Sequence, residues 1–247
     1  MALPSFTFTI PRFKLPAFVS AVGNKLPQWP HALVLVTGLN AVLKMKLLPQ
    51  DSLDLLEGRS FLVDVLDTGG QRHVTDFPVL DLGIHPDIHH ENWQLRLFGL
   101  VAQEVVLDWE QLLAMPQVQR TSDFHCVTTW TRLDVPWEGV LAREVVNLAG
   151  PLAEARHVTL HSYDGYTTNV PLAALLDDDV LVAHTVDDAP LSVEHGGPVR
   201  LVLPKRYAWK SAKWLSGIEF HAEDRPGYWE VRGYHNEADP WKEERYS

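Results

Sequence analysis

Apolar and polar positions follow two patterns along the chain, and these meet near Gly69-Gly70. Before that point, prolines at 4, 11, 16, 27 and 30 punctuate the opening, and the run Ala32 to Leu48 then predicts an amphipathic helix. A second, shorter helix is expected over about Gln50 to Glu57, with Asp51 as N-terminal cap and Gly58 as its stop. SFLVDVLDTG alternates with a period of two, placing Phe61, Val63 and Val65 on one side of a strand. The first 70 residues therefore read as a small, mainly helical segment.

Residues 71–247 carry many short strand signals separated by turns. WQLRLFGLV, VVLDW, TSDFHCVTTW, HVTLHSY, VLVAHTV, VRLVLP and SGIEFHAE all read as strands. Helices are expected at about Trp109 to Met115, Val140 to Leu148 and Pro171 to Leu175, with a turn at Asp164-Gly165. Strands this frequent, with so few helices between them, predict a mixed, sheet-rich α+β domain rather than alternating βαβ units.

Charge and cysteine content narrow the chemistry. With 21 basic and 32 acidic side chains the net charge is −11, which repels a phosphodiester backbone and argues against nucleic acid as a partner. One cysteine forms no intramolecular disulfide, and no twin-arginine pair or basic-then-apolar leader opens the chain, so the cytoplasm is the expected compartment. The most apolar stretch is short and carries Lys44 and Lys46, so no transmembrane segment is expected.

Two segments concentrate chemistry-bearing residues. Cys126 lies in DFHCVTTW, flanked by apolar residues that place it at an interior strand end or turn; taken alone, such a cysteine is a small buried hydrophobe. In HGGPVRLVLPKRYAWKSAKWLSGIEF, a Gly-Gly-Pro turn separates His195 from Arg200, and Ser211 and Lys213 follow within a basic run. Glycines that admit backbone amides, together with arginine and lysine, suit a phosphate dianion. The aromatics interleaved with these charges predict a partly buried pocket.

HCVTTW followed by VPWEGV resembles the metal-binding segment of the sulfite-oxidase-like molybdopterin-dependent oxidoreductases, and the His195–Phe220 stretch independently resembles that family's cofactor-binding segment. FPVLDLGIHPDIHHENWQLRLFGLV and GYWEVRGYHNEADPWKEERY add two more matches in the same order, so that the resemblance runs from about Phe77 onward. It implies a sulfite-oxidase-type molybdopterin-binding domain over 71–247. The cofactor would be molybdopterin with molybdenum, and Cys126 would be the protein ligand to the metal. His195, Arg200, Ser211, Lys213 and Thr167 would bind the cofactor, and Tyr166 and Arg132 would join Cys126 in the catalytic pocket.

The resemblance also implies oxygen-atom transfer to or from a small-molecule oxo-acceptor or oxide, with electrons exchanged through a separate partner. True sulfite oxidases place an arginine five residues after the cysteine, where this chain has Thr131, with Arg132 one residue later. They also carry an Arg-Asn-His element where this chain reads Val79-Leu80-Asp81. Fewer cations leave sulfite, a sulfoxide and an N-oxide all open as substrates. Zinc chemistry through His85, His89, His90, His157 and His161, or a Cys126–His125 nucleophile, ranks below this reading on spacing. ALVLVTGLNAVLKMKLL with LLEGRSFLVDVLDTG resembles the opening of sterol-carrier-type lipid-binding proteins. That resemblance allows a lipid or quinone contact, or a lipid-binding accessory protein with an inactive oxidoreductase domain, as the alternative.

Overall fold

In the computed structural model of the chain, residues 70–83 and 85–247 are described in full, and of residues 1–69 only three strands are. The chain forms two compact units, Met1–Gly70 and Gln71–Ser247. In the first, β1 (Thr7–Thr9), β2 (Ala32–Thr37) and β3 (Val42–Leu47) make an antiparallel sheet in the order β1-β3-β2. Ala32 to Leu48 is therefore a pair of strands and not the expected helix. Ala32 pairs with Leu47 and Thr37 with Val42. The physical reason is visible in the residues. Leucine and β-branched valine dominate the first strand, and Leu43, Met45 and Leu47 alternate with Lys44 and Lys46 in the second. The expected helix at Gln50 to Glu57 and strand at SFLVDVLDTG lie outside the described residues.

The second unit holds two sheets. One has the order β10-β9-β14-β5-β6 and comprises β5 (Gln94–Gly99), β6 (Val105–Asp108), β9 (His157–Ser162), β10 (Thr167–Pro171) and β14 (Leu215–His221). Its only parallel pair is β14 with β5. Leu95 and Leu97 are fully buried while Gln94 and Arg96 are exposed, as the alternation of β5 predicts.

The other sheet runs β12-β11-β8-β4, with β7 also paired to β8 and β13 to β11. Its strands are β4 (Arg72–Val74), β7 (Gln117–Cys126), β8 (Trp130–Leu141), β11 (Leu181–Val186), β12 (Ala189–Pro190) and β13 (Arg200–Val202). β8 carries no clear strand signal in sequence because Pro136 and Gly139 interrupt it. Both are accommodated by the pairing. The proline faces Thr121 of β7, and its carbonyl accepts from Asp187 N in the turn after β11. Gly139 is required by closeness, since a Cβ there would lie 2.2 Å from the Val182 carbonyl oxygen of β11.

Three short helices connect the sheets. α1 (Trp109–Ala114) starts at a reciprocal capping box, Asp108 accepting from Gln111 N while the Gln111 side chain accepts from Asp108 N. α2 (Ala142–Ala149) buries Ala142, Val145, Val146 and Ala149 and ends at left-handed Gly150. It starts two residues later than the period predicts, because Val140 and Leu141 complete β8 against Val182 and Leu181. α3 (Leu172–Leu175) is a single turn. Among the described residues no helix is long and apolar enough to cross a membrane.

Candidate active site

A cavity of about 360 Å³ opens between the ends of β7, β13 and β14 and the segment 77–82, and six of the expected site residues line it: Cys126, Tyr166, His195, Arg200, Ser211 and Lys213. Cys126 is the last residue of β7 and pairs with Trp130 across the turn 127–129, which Thr129 closes in the left-handed region at φ 68°. Its Sγ lies 3.1 Å from Thr128 Oγ1, and Arg245 Nη1 donates to Val127 O at 2.6 Å, holding the turn from outside. Burial pushes the thiol pKa up, against the opposing Thr128 hydrogen bonds. His125, the adjacent residue, bonds Thr131 Oγ1 at 2.9 Å and does not line the cavity, consistent with alternation along the strand.

The basic end of the cavity is built around Arg200 on β13, whose side chain is buried beside Phe124 and Trp137. The guanidinium donates to the carbonyls of His195 (2.8 Å), Ser211 (3.1 Å) and Leu201 (3.3 Å). These are neutral acceptors, and burial pushes the Arg200 pKa down to about 9. His195 is pinned between Ser192 Oγ and Phe77 O, with its ring stacked on Phe77 at 4.4 Å, and burial lowers its pKa. Ser211 Oγ accepts from Leu203 N.

Lys213 donates to Glu194 O at 2.5 Å and lies 3.6 Å from Asp81 Oδ2. Burial, and then the neighbouring Arg200 charge, push its pKa down to about 8. Burial alone would raise the Asp81 carboxyl. The His85 ring at 2.9 Å, the Gly83 N–H and Lys213 outweigh that and hold it below the usual carboxylate range. Gly196, at φ 97°, lets the loop cross the lysine, since a Cβ there would come within 2.8 Å of Lys213 Cβ.

Two expected residues are not brought to the cavity. Arg132 pairs opposite Phe124, but its Nη2 lies 2.7 Å from both carboxylate oxygens of Asp187, in the left-handed turn after β11, and this ion pair draws it away. Thr167 follows Tyr166 in an extended segment and so faces the other way; its carbonyl accepts from Tyr228 N. Tyr166 itself is buried and donates to Trp209 O at 2.6 Å, with burial raising its pKa well above the usual tyrosine value.

The remaining wall is aromatic: Trp209 belongs to the interleaved aromatics that predicted a pocket, whereas Trp229 and Tyr234 were not singled out in the sequence. Trp209, Trp229 and Tyr234 all line the cavity, with Tyr234 5.2 Å from Trp209 and 4.8 Å from Trp229 between ring centroids. This wall lines the same cavity as the Cys126 thiol, and burial raises the Tyr234 pKa. Phe77 was also missed. Its ring packs on Phe124, Trp130 and Trp137 and anchors the segment that forms the other wall. Among the described residues, no group of three His, Cys, Asp or Glu side chains is placed to hold a metal ion by itself.

A sheet-rich domain with one buried thiol and a buried basic cluster facing the same cavity defines a class, and the comparisons identify it. Residues 82–229 match the oxidoreductase molybdopterin binding domain, and the chain belongs to that family. It is a molybdenum-dependent oxidoreductase of the sulfite-oxidase-like type, and its cofactor is molybdopterin with molybdenum. The chain is 44% identical over 180 residues to the uncharacterized oxidoreductase YuiH of Bacillus subtilis, covering 72% of this chain and 90% of that protein.

It is also 30% identical over 157 residues to the protein-methionine-sulfoxide reductase catalytic subunit MsrP of Campylobacter jejuni, covering 57% of this chain and 52% of the relative. The chain thus spans about half the length of that reductase. The fold is shared with the sulfane dehydrogenase SoxCD of Paracoccus pantotrophus, at a TM-score of 0.52 and 21% identity over 57% of this chain and 41% of that one. The expected family, fold and cofactor are thereby confirmed. The expected lipid or quinone contact finds no support in these matches.

Proposed function

We propose that the protein catalyses two-electron oxygen-atom transfer from a neutral organic oxide, a sulfoxide or N-oxide, with Cys126 as the thiolate ligand to molybdenum. The residues fit the cofactor. A buried guanidinium bonded only to carbonyls, beside a lysine whose pKa is pushed down, is the donor set for a phosphate dianion. The buried Ser162 Oγ, on the cavity wall, has no hydrogen-bond partner among the described residues and adds a polar group for the pterin. In this reading Arg200, Lys213, Ser211 and His195 bind and orient the pterin and its phosphate. Cys126, held by the turn at Thr128, provides a soft sulfur donor. Molybdenum bound there supplies the two-electron oxygen-transfer chemistry.

The observation that carries the substrate class is the position of Arg132. The cation nearest in sequence after the cysteine is bound to Asp187, outside the cavity, while the wall beside the thiol is Trp209, Trp229 and Tyr234. A dianionic substrate such as sulfite needs compensating charge at that wall, and an uncharged oxide does not. The name of the Campylobacter relative, a methionine-sulfoxide reductase, points the same way. In this reading reducing equivalents come from a separate electron-transfer partner. We assign the enzyme to the cytoplasm, a placement that cell fractionation checks.

The test is turnover by molybdenum-loaded protein with a reduced viologen as donor. Dialkyl sulfoxides and amine N-oxides should be reduced with two electrons consumed per oxide, and sulfite should be a poor substrate in the oxidative direction. Efficient sulfite oxidation with no oxide reduction would overturn the assignment. Cys126→Ser should abolish turnover while leaving pterin content near that of the parent. Unchanged activity in that variant would remove Cys126 from the metal.

A further inference from the structure

The aromatic wall is held by an interaction buried behind it. Two cavity-lining tryptophans each precede one member of a buried ion pair: Trp209 precedes Lys210, and Trp229 precedes Glu230. Lys210 ends one short 3-10 turn (Ala208–Lys210) and Glu230 begins another (Glu230–Arg232), so the pair ties together two segments some twenty residues apart. Lys210 Nζ lies 2.7 Å from Glu230 Oε1, with the two side chains 0% and 2% exposed. Every ammonium donor is used, the others going to Asn169 O at 2.7 Å and Asn169 Oδ1 at 3.2 Å.

Glu230 Oε1 also accepts from the Trp209 indole N–H at 2.9 Å and from Thr168 Oγ1 at 3.0 Å. Trp209 is thus fixed three ways: its indole by Glu230, its carbonyl by the Tyr166 hydroxyl, and its ring face by Tyr207, stacked at 5.3 Å and 13°. Burying two charges is expensive, and an apolar pair of similar volume generally serves stability as well or better. What an apolar pair cannot do is orient an indole N–H and fix two turns in one register.

We propose that Lys210 and Glu230 are positioning residues for substrate selection: their ion pair clamps Trp209 and Trp229 in one arrangement, setting the width of the cavity wall beside Cys126 and hence the size of oxide that is admitted. This rests on the oxide-reductase reading. The clamp touches neither substrate nor cofactor, so it acts on KM and on discrimination between small and bulky oxides, while kcat at saturation and the pterin content stay near those of the parent.

The experiment uses full-length, molybdenum-loaded protein in three forms: Glu230→Gln, the apolar double variant Lys210→Met with Glu230→Leu, and Lys210→Arg as the conservative rescue. The double variant leaves no unpaired buried charge and keeps the test open if Glu230→Gln fails to fold. Molybdenum and pterin content are measured first. The Trp209 indole N–H resonance, assigned by its loss in Trp209→Phe, is then compared among the variants. Last come KM and kcat for dimethyl sulfoxide and for a bulky aryl sulfoxide.

In the double variant the Trp209 N–H should lose its carboxylate-bonded shift. KM for the small sulfoxide should rise about tenfold, the factor expected from one charge-assisted hydrogen bond, and the preference for small over bulky should shrink. Glu230→Gln should shift both in the same direction as the double variant, and Lys210→Arg, which keeps a cation for Glu230, should leave both near the parental values. A folded, cofactor-loaded double variant with an unshifted indole resonance, or with parental KM and discrimination, overturns the clamp. Parent protein that reduces no oxide refutes the oxide reading on its own, and the indole resonance then still decides whether the pair holds Trp209.

Discussion

Replacing Lys213 by methionine should stabilise the cofactor-free protein and weaken its hold on the cofactor at the same time. The side chain is only 16% exposed, and burial together with the Arg200 charge brings its pKa from 10.5 down to about 8. A displacement of that size corresponds to about 3 kcal/mol of unfavourable free energy for the charged form in the folded state. Because the folded pKa lies below the unfolded one, the unfolded chain binds more protons between about pH 8 and 10.5. Stability therefore rises with pH through that window, and below it the full cost is present.

Methionine fills a similar volume and removes that charge. It also gives up the bond to Glu194 O, about 1 kcal/mol, so the net gain at pH 7 is about 2 kcal/mol. A phosphate dianion bound beside Lys213 reverses the sign, since it stabilises the charged form, and the variant should bind the pterin about tenfold or more weakly. Urea denaturation of cofactor-free parent and variant at pH 7 and pH 10 measures the first effect, and pterin retained after dialysis measures the second. A variant less stable than its parent at pH 7, or a difference that stays constant between the two pH values, would refute the reasoning.

Two further outcomes follow from backbone geometry. Gly139→Ala places a methyl group 2.2 Å from Val182 O and 2.7 Å from Ala183 Cα, backbone atoms of a central strand that cannot yield cheaply, and should cost about 3 kcal/mol in the denaturation midpoint. Asp108→Ala breaks the capping box of α1 and should cost about 1 kcal/mol, with turnover unaffected because α1 does not line the cavity. Equal midpoints for parent and either variant would contradict the corresponding assignment.

The residues themselves determined much of this protein. The pattern of WQLRLFGLV marked a strand that the structure holds as β5, and a helix was legible at about Trp109 to Met115. The cysteine segment and the basic segment identified the family through their resemblance to it, and with the family its cofactor. The tertiary structure decided the features that depend on a partner distant in the chain. Ala32 to Leu48 became two strands because each half had the other to pair with, and β8 formed through Pro136 and Gly139 because β7 and β11 flank it.

Arg132 was lost to the site for the same kind of reason. Nothing within a few residues of it signals that Asp187, 55 positions later, takes its guanidinium. The clamp behind Trp209 joins Lys210 to Glu230 and Asn169, three segments that no local period connects. Periodicity reports which face of an element is apolar, whereas the choice of substrate rests on where charges and rings from separate elements meet, and that is set only when the sheets pack.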